Sequence, residues 1–167
     1  MKNIGLIVVT TLSLFFIGFI SGPFVLKLTE QFLGKEIVAL TIFDSLTSQF
    51  SLGLLLAFCS ICASCLLWAY SRKHSGYAPH LVFGLGLLVS FVAVAIAIAY
   101  KLLYSRYALQ FMRDDFNHIP ITLRPIDYFS WGFRLPLFVN AVIIAILLWM
   151  PRQRHKQEDN NVPIQNN

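Results

Sequence analysis

The residues of this sequence that could do chemistry are few and lie in two places. The first place holds three cysteines, Cys59, Cys62 and Cys65, spaced three residues apart within an apolar run. Thiolates bind soft metal ions, but no fourth ligand lies nearby in the sequence. Free cysteine also behaves as a small apolar residue. The pattern therefore favours a packing role, and we expect no metal and no cofactor.

The second place is the polar segment 105–136, which lies between two long apolar runs. His118 with Asp114 or Asp115 could act as an acid–base group in an enzyme that modifies lipids. A solvated cluster that caps a helix is the simpler interpretation. The sequence also has no Walker A loop, HExxH or GxSxG motif. We therefore expect the protein not to be an enzyme.

Arg134 is the most informative single residue of this segment. It lies about 9 Å along a helix that would start near Tyr128, at 1.5 Å per residue. From that depth a guanidinium can reach the lipid headgroups. The alternatives are that Arg134 pairs with Asp44 or Asp127, or that it binds a lipid phosphate or a partner's carboxylate.

Two further residues shape the last apolar run. Pro136 loosens a helix because it lacks a backbone donor. Asn140 lies at mid-depth, where its amide would seek a partner on another helix of the bundle or in another subunit. The candidate functional polar residues are therefore Arg134, Asn140 and Asp127.

The composition indicates the elements that position these residues. The chain is 57% hydrophobic and only 13% charged, against about 25% charged residues in soluble domains, so a bilayer is the expected solvent. We predict an all-α integral membrane protein with one transmembrane domain, residues 1–150, and a polar, disordered cytoplasmic tail, residues 151–167. Its four transmembrane helices are expected at about 4–26, 49–70, 81–100 and 128–150.

The first apolar run could also be a signal peptide. It is longer than the 7–15 residues of a signal peptide's apolar region, and Pro23 follows the small residues where cleavage would occur. We therefore expect a retained helix.

The connecting segments are expected to be small and structured. Residues 37–43 and 121–123 are candidates for short β segments. No Gly or Pro follows Tyr100 for many residues, so the third helix can continue out of the bilayer to about Met112. The alternative is a break near Ser105.

Small residues recur at spacings that place them on one helix face. Gly18 and Gly22 form a GxxxG motif, which allows a close approach of another helix. The second and third helices carry stripes with the same four-three-four spacing, so we predict that these two helices form a close antiparallel pair. The two stripes are Gly53, Ala57, Ser60 and Ser64, and Gly86, Ser90, Ala93 and Ala97.

The basic residues predict the orientation. Arg72 and Lys73 lie in the middle loop, and further basic residues flank both ends of the apolar domain. The positive-inside rule then places both termini in the cytoplasm, in what we expect to be a bacterial inner membrane. Trp68 with Tyr70, and Tyr128 with Trp131, would form aromatic belts at the two membrane surfaces.

This four-helix plan is similar in outline to membrane-bound immunity proteins against pore-forming bacteriocins, to phage exclusion proteins and to claudin-like proteins. The similarity rests on topology without a shared motif, so it implies no residue roles. We expect a non-enzymatic subunit or modulator of a membrane assembly, of immunity or exclusion type, that acts through helix packing and extracytoplasmic loops. Its expected partners are membrane lipids and another membrane protein or itself, with no nucleic acid. The alternative is a small oligomeric channel or transporter.

Overall fold

The protein is helical throughout the residues that its structure, a computed structural model, describes. These are residues 2–33, 42–72, 78–115 and 126–149, with side chains described for 4–33, 45–72, 78–108 and 126–149. No strand occurs in these ranges, which confirms the predicted all-α class for them. The helices are α1 (Lys2–Leu33), α2 (Ile42–Ser71), α3 (Pro79–Asp115), α4 (Tyr128–Gly132) and α5 (Arg134–Trp149).

Three of the helices are long and apolar enough to cross a membrane. The qualifying stretches are Ile4–Leu33, Ser45–Ser71 and Pro79–Ala108, while α5 is apolar but shorter. A helix suits such a segment because it pairs its backbone N–H and C=O groups within the segment, where lipid offers no partners. The prediction of a helical membrane protein is confirmed.

The helices extend beyond the predicted spans. α1 reaches Leu33 and α2 begins at Ile42. α3 continues past Ser105 to Asp115 without a break. Its 37 residues reach about 56 Å at 1.5 Å per residue, well beyond the ~30 Å of a hydrocarbon core.

Several predictions fall on residues outside the described ranges. They concern segment 121–123, the tail 151–167 and most of the segment 37–43. The last two residues of that third segment, Ile42 and Phe43, are helical and open α2.

The predicted fourth helix is divided at Phe133 into α4 and α5. Pro136 explains the division, because its nitrogen cannot donate to the Gly132 carbonyl and its ring would clash with that carbonyl. The disturbance is local, since the Leu137 amide donates to the Phe133 carbonyl at 3.2 Å. Pro136 is then the third residue of α5, in a first turn that leaves its amide donors without helical partners.

α2 is the central helix of the bundle. In an apolar 18-residue segment of each long helix, 61% of the residues are buried in α2, against 6% in α1 and 28% in α3. α2 contributes three side chains to the main core, and α1, α3 and the start of α4 pack against them. The core residues are Leu26, Leu52, Leu55, Cys59, Val94, Ile126 and Tyr128.

α1 and α2 are antiparallel and in backbone contact through glycines. A Cβ added to Gly18 would lie 2.7 Å from the Gly53 Cα, and one added to Gly22 would lie 2.8 Å from the Gln49 Cα. A Cβ on Gly53 would in turn lie 2.8 Å from the Phe15 carbonyl oxygen. These glycines therefore set the distance between the two helices.

The predicted contact between α2 and α3 is present, but two residues of the α2 stripe face α1 instead. Besides Gly53, Ser60 faces α1, and its hydroxyl oxygen accepts a hydrogen bond from the Thr11 hydroxyl at 2.9 Å. α3 approaches a neighbouring face of α2, where a Cβ on Gly86 would lie 3.1 Å from the Ala63 Cα. Because α2 is central, it presents one face to each neighbour, and spacing alone did not distinguish them.

Candidate functional site

Asp127 is the cap of α4. Its side-chain oxygen accepts a hydrogen bond from the Ser130 amide at 3.1 Å, and the Ser130 hydroxyl donates to the Asp127 carbonyl at 3.1 Å. Such a cap satisfies amide groups that the first turn of a helix leaves unpaired. Asp127 therefore fixes where α4 begins rather than pairing with Arg134.

Tyr128 joins three helices, which sequence reasoning did not foresee. We expected it in an aromatic belt at the surface, but its side chain is fully buried. Its hydroxyl lies 2.9 Å from the Thr29 hydroxyl on α1. Its amide donates to the Ser51 hydroxyl on α2 at 3.0 Å. The one sequence signal for this position is Asp127, whose capping places the next residue at the first turn of α4.

The polar layer around Tyr128 continues along α2. The Ser51 hydroxyl donates to the Ser48 carbonyl at 2.9 Å. The Ser48 hydroxyl is buried and has no hydrogen-bond partner among the described residues. The layer therefore lies inside the bundle and ties α4 to α1 and α2.

Arg134 lies at the mouth of a cleft between α3 and the α4–α5 break. Its guanidinium carbon is 5.9 Å from the centre of the Phe133 ring, and its side chain is exposed. Lys101 of α3 lines the same cleft, which has a volume of about 590 Å³. Nothing in the sequence indicates that Lys101 and Arg134 are neighbours, because only the antiparallel packing of α3 against α5 brings them to one cleft. The other lining residues are Ile96, Ala97, Tyr100, Ser130, Trp131 and Leu135.

Among the described residues that line this cleft there is no carboxylate. Within the described part of the chain, neither Lys101 nor Arg134 has a hydrogen bond or an ion pair. The side chain of Asp44, one of the partners considered for Arg134, lies outside the described residues. The arrangement leaves two cations beside one opening, which can attract an anion.

Asn140 ties α5 to α3. It is buried, and its amide nitrogen donates to the Ser90 hydroxyl at 3.1 Å and to the Pro136 carbonyl at 2.7 Å. The Ser90 hydroxyl itself donates to the Gly86 carbonyl at 2.8 Å, so it can only accept from Asn140. The Asn140 amide oxygen has no partner among the described residues. Asn140 thus connects α5 to α3 inside the bundle.

We expect the Asn140–Ser90 contact to contribute a small coupling energy. In a double-mutant cycle of Asn140→Ala and Ser90→Ala, the coupling should be about 0.6 kcal/mol and no more than about 1.7 kcal/mol, as for other hydrogen bonds between membrane helices. Denaturant unfolding of the purified protein in mild detergent measures it.

The matched control combines Asn140→Ala with Ser64→Ala. The Ser64 hydroxyl donates to the Ser60 carbonyl of its own helix, so this second cycle should be additive. Equal coupling in the two cycles would show that the Asn140–Ser90 contact contributes nothing specific.

The remaining packing residues lie inside the bundle or at its edge. Ala57 and Ala93 are buried, Ser64 is half-buried and bonds within α2, and Ala97 is half-buried beside the cleft. Ala57, Ala93 and Ser64 are therefore packed within the chain, and Ala97 lines the cleft.

The three cysteines form no metal site among the described residues. Cys59 and Cys62 are buried and Cys65 is exposed. No group of three or more metal-ligating side chains occurs among the described residues. His118, with the side chains of Asp114 and Asp115, lies outside them.

No protein-family model, no curated protein and no solved structure matches this chain.

Proposed function

We propose that the protein is a non-enzymatic, multi-pass membrane protein that acts as a subunit or modulator of a membrane assembly. Helix packing holds its bundle together, and its extracytoplasmic segments contact the partner. The partner is another membrane protein or a second copy of this chain. An immunity- or exclusion-type protein, which intercepts another membrane protein, is the form of this function that the four-helix plan favours.

We propose that the chain crosses the membrane four times. The 5 residues of α4, Phe133 and the 16 residues of α5 together reach about 33 Å at 1.5 Å per residue. That length matches a hydrocarbon core of about 30 Å. α5 also packs antiparallel to α3, since Asn140 bonds to Ser90 while the earlier residue Arg134 lines one cleft with the later residue Lys101.

The orientation follows from the basic residues. With four spans, the start of α1, the end of α2, the start of α3 and the end of α5 share one membrane side. Arg72, Lys73 and the basic residues of the tail belong to that side. We infer that this side is the cytoplasm of a bacterial cell and that the membrane is the inner membrane.

The observation that carries the functional proposal is the exposed end of α3. Beyond Lys101, the side chains of Leu103, Tyr104 and Tyr107 are exposed by 57–71%. α3 is longer than a bilayer requires, so this part would project from the hydrocarbon core on the extracytoplasmic side. Exposed aromatic and aliphatic side chains outside lipid are typical of protein-binding surfaces.

The small-residue motifs point in the same direction. Gly18, Gly22 and Gly53 are occupied by contacts within the chain, and Ser60 and Asn140 bond to other helices of the same bundle. These residues are therefore occupied by contacts within the chain, and we propose the projecting end of α3 as the surface that meets a partner.

We expect a photo-crosslinking amino acid at Tyr107 to capture a discrete partner in the native cells. The matched control is Leu88, which is exposed on the same helix within its apolar span. Immunoblots of irradiated cells should show a sharp adduct for position 107 and none for position 88. Monomer alone at both positions, or the same adducts at both, would contradict the proposal.

A further inference from the structure

The Lys101–Arg134 cleft combines two cations from different helices. Lys101 comes from α3 and Arg134 is the first residue of α5. No carboxylate occurs among the described residues that line the cleft, and neither cation is paired among the described side chains. The described lining is therefore positively charged. A partly enclosed site with two unpaired cations is complementary to an anion of at least one full negative charge.

The cleft lies at the end of two apolar segments. Lys101 follows the uncharged residues 81–100 of α3. Arg134 lies about 9 Å along the last span from Tyr128 at 1.5 Å per residue, a depth from which its guanidinium can reach the headgroups. Since α3 and α5 are antiparallel, both charges belong to the same membrane surface. Tyr100 and Trp131 line the cleft at this level, and such side chains favour the depth of lipid headgroups.

The deeper part of the cleft is lined by apolar side chains. Ile96 and Ala97 lie one turn of α3 below Tyr100 and Lys101, and Leu135 faces them from α5. Ile96 is 56% exposed on the outer face of the bundle, so the cleft is continuous with the surface that meets lipid. The small side chain of Ala97 leaves room that a longer side chain would fill.

We infer that this cleft binds one anionic phospholipid. The phosphate lies between the Lys101 ammonium and the Arg134 guanidinium, whose planar fork can donate two parallel hydrogen bonds to it. An acyl chain runs along Ile96 and Ala97. This site is independent of the proposed protein partner, because it uses the lipid-facing side of α3 rather than its projecting end.

The test titrates the full-length protein in neutral detergent with phosphatidylglycerol and measures bound lipid by native mass spectrometry. Phosphatidylcholine with the same chains is the neutral comparison. The wild type should bind one phosphatidylglycerol in preference to phosphatidylcholine. Lys101→Gln with Arg134→Gln should weaken phosphatidylglycerol binding about 30-fold, since each cation near a membrane surface contributes about fivefold.

The matched charge control is Arg106→Gln. Arg106 lies on the same helix and near the same surface, but over the Phe32 ring rather than in the cleft. We expect it to retain wild-type affinity. An equal loss for Arg106→Gln and for the double variant would assign the effect to general charge and overturn the proposal.

A second variant keeps both charges and fills the cleft. Ala97→Leu should reduce phosphatidylglycerol binding while leaving the melting temperature near that of the wild type. Unchanged binding would place the lipid elsewhere and overturn the proposal. Inorganic phosphate at the same concentration should not displace the lipid, because it lacks acyl chains. Equal displacement by phosphate would identify a phosphate site and contradict a lipid site.

Discussion

Replacing Gly18 with leucine should separate α1 from α2 and destabilise the protein by about 3 kcal/mol or more, at the upper end of the range for overpacked cores. A Cβ at this position would meet the Gly53 Cα at 2.7 Å, and backbone cannot rotate away as a side chain can. The helices must therefore move apart, and the contact at Gly22 is lost as well. Thermal and denaturant unfolding in mild detergent measure the effect.

Gly5 provides the control on the same helix. A Cβ there has no described atom within 4 Å, so Gly5→Leu should be neutral or slightly stabilising, because leucine has a higher helix propensity than glycine. Gly→Ala at the two positions gives a test of sign. Alanine should stabilise at position 5 and destabilise at position 18. The same sign at both would show that the glycine contact does not hold α1 to α2.

Replacing Tyr128 with alanine should destabilise the protein by about 3–5 kcal/mol, as for other large buried aromatic residues. The ring is fully buried among α1, α2 and α3, and among the described residues it is the largest side chain with this degree of burial. Its loss leaves a cavity and removes the contact between α4 and Thr29. We expect α4 to detach first, which would appear as faster proteolysis near residue 128 before global unfolding.

Two further tyrosine variants separate packing from hydrogen bonding. Tyr128→Phe keeps the ring and removes only the hydroxyl bonded to Thr29, so its expected loss is about 0.5–1.5 kcal/mol. Tyr107→Ala removes a tyrosine that is 71% exposed and should change stability by no more than about 0.5 kcal/mol. Equal losses for Tyr107→Ala and Tyr128→Ala would contradict the burial of Tyr128.

The helical membrane class could be predicted from the sequence because it depends on length and polarity alone. Apolar runs of this length have to pair their backbone groups internally, whatever their neighbours are. The extension of α3 was also foreseen as one of two options, since no Gly or Pro lies between Lys101 and Asp115. At the division at Phe133, the sequence predicts only a helix loosened by Pro136.

The contacts between helices could not be predicted because they depend on how each helix is rotated. Gly53 and Gly86 occur in stripes of identical spacing, yet one meets α1 and the other meets α2. Tyr128 was expected at the membrane surface by its residue type, but the short helix α4 turns it into the core. Nothing in the sequence distinguishes Lys101, because only antiparallel packing brings it to Arg134.

Four membrane spans would place the Lys101–Arg134 cleft on the extracytoplasmic side of the membrane. Single cysteines at Ser71, Ser130 and Trp149, all exposed, test it in a variant that lacks the three native cysteines. The reagent is a membrane-impermeant maleimide applied to spheroplasts. Labelling at position 130 in intact spheroplasts, and at positions 71 and 149 only after lysis, is the expected result. Labelling of 130 and 149 from the same side would mean that α4 and α5 do not cross the membrane, and would contradict the account.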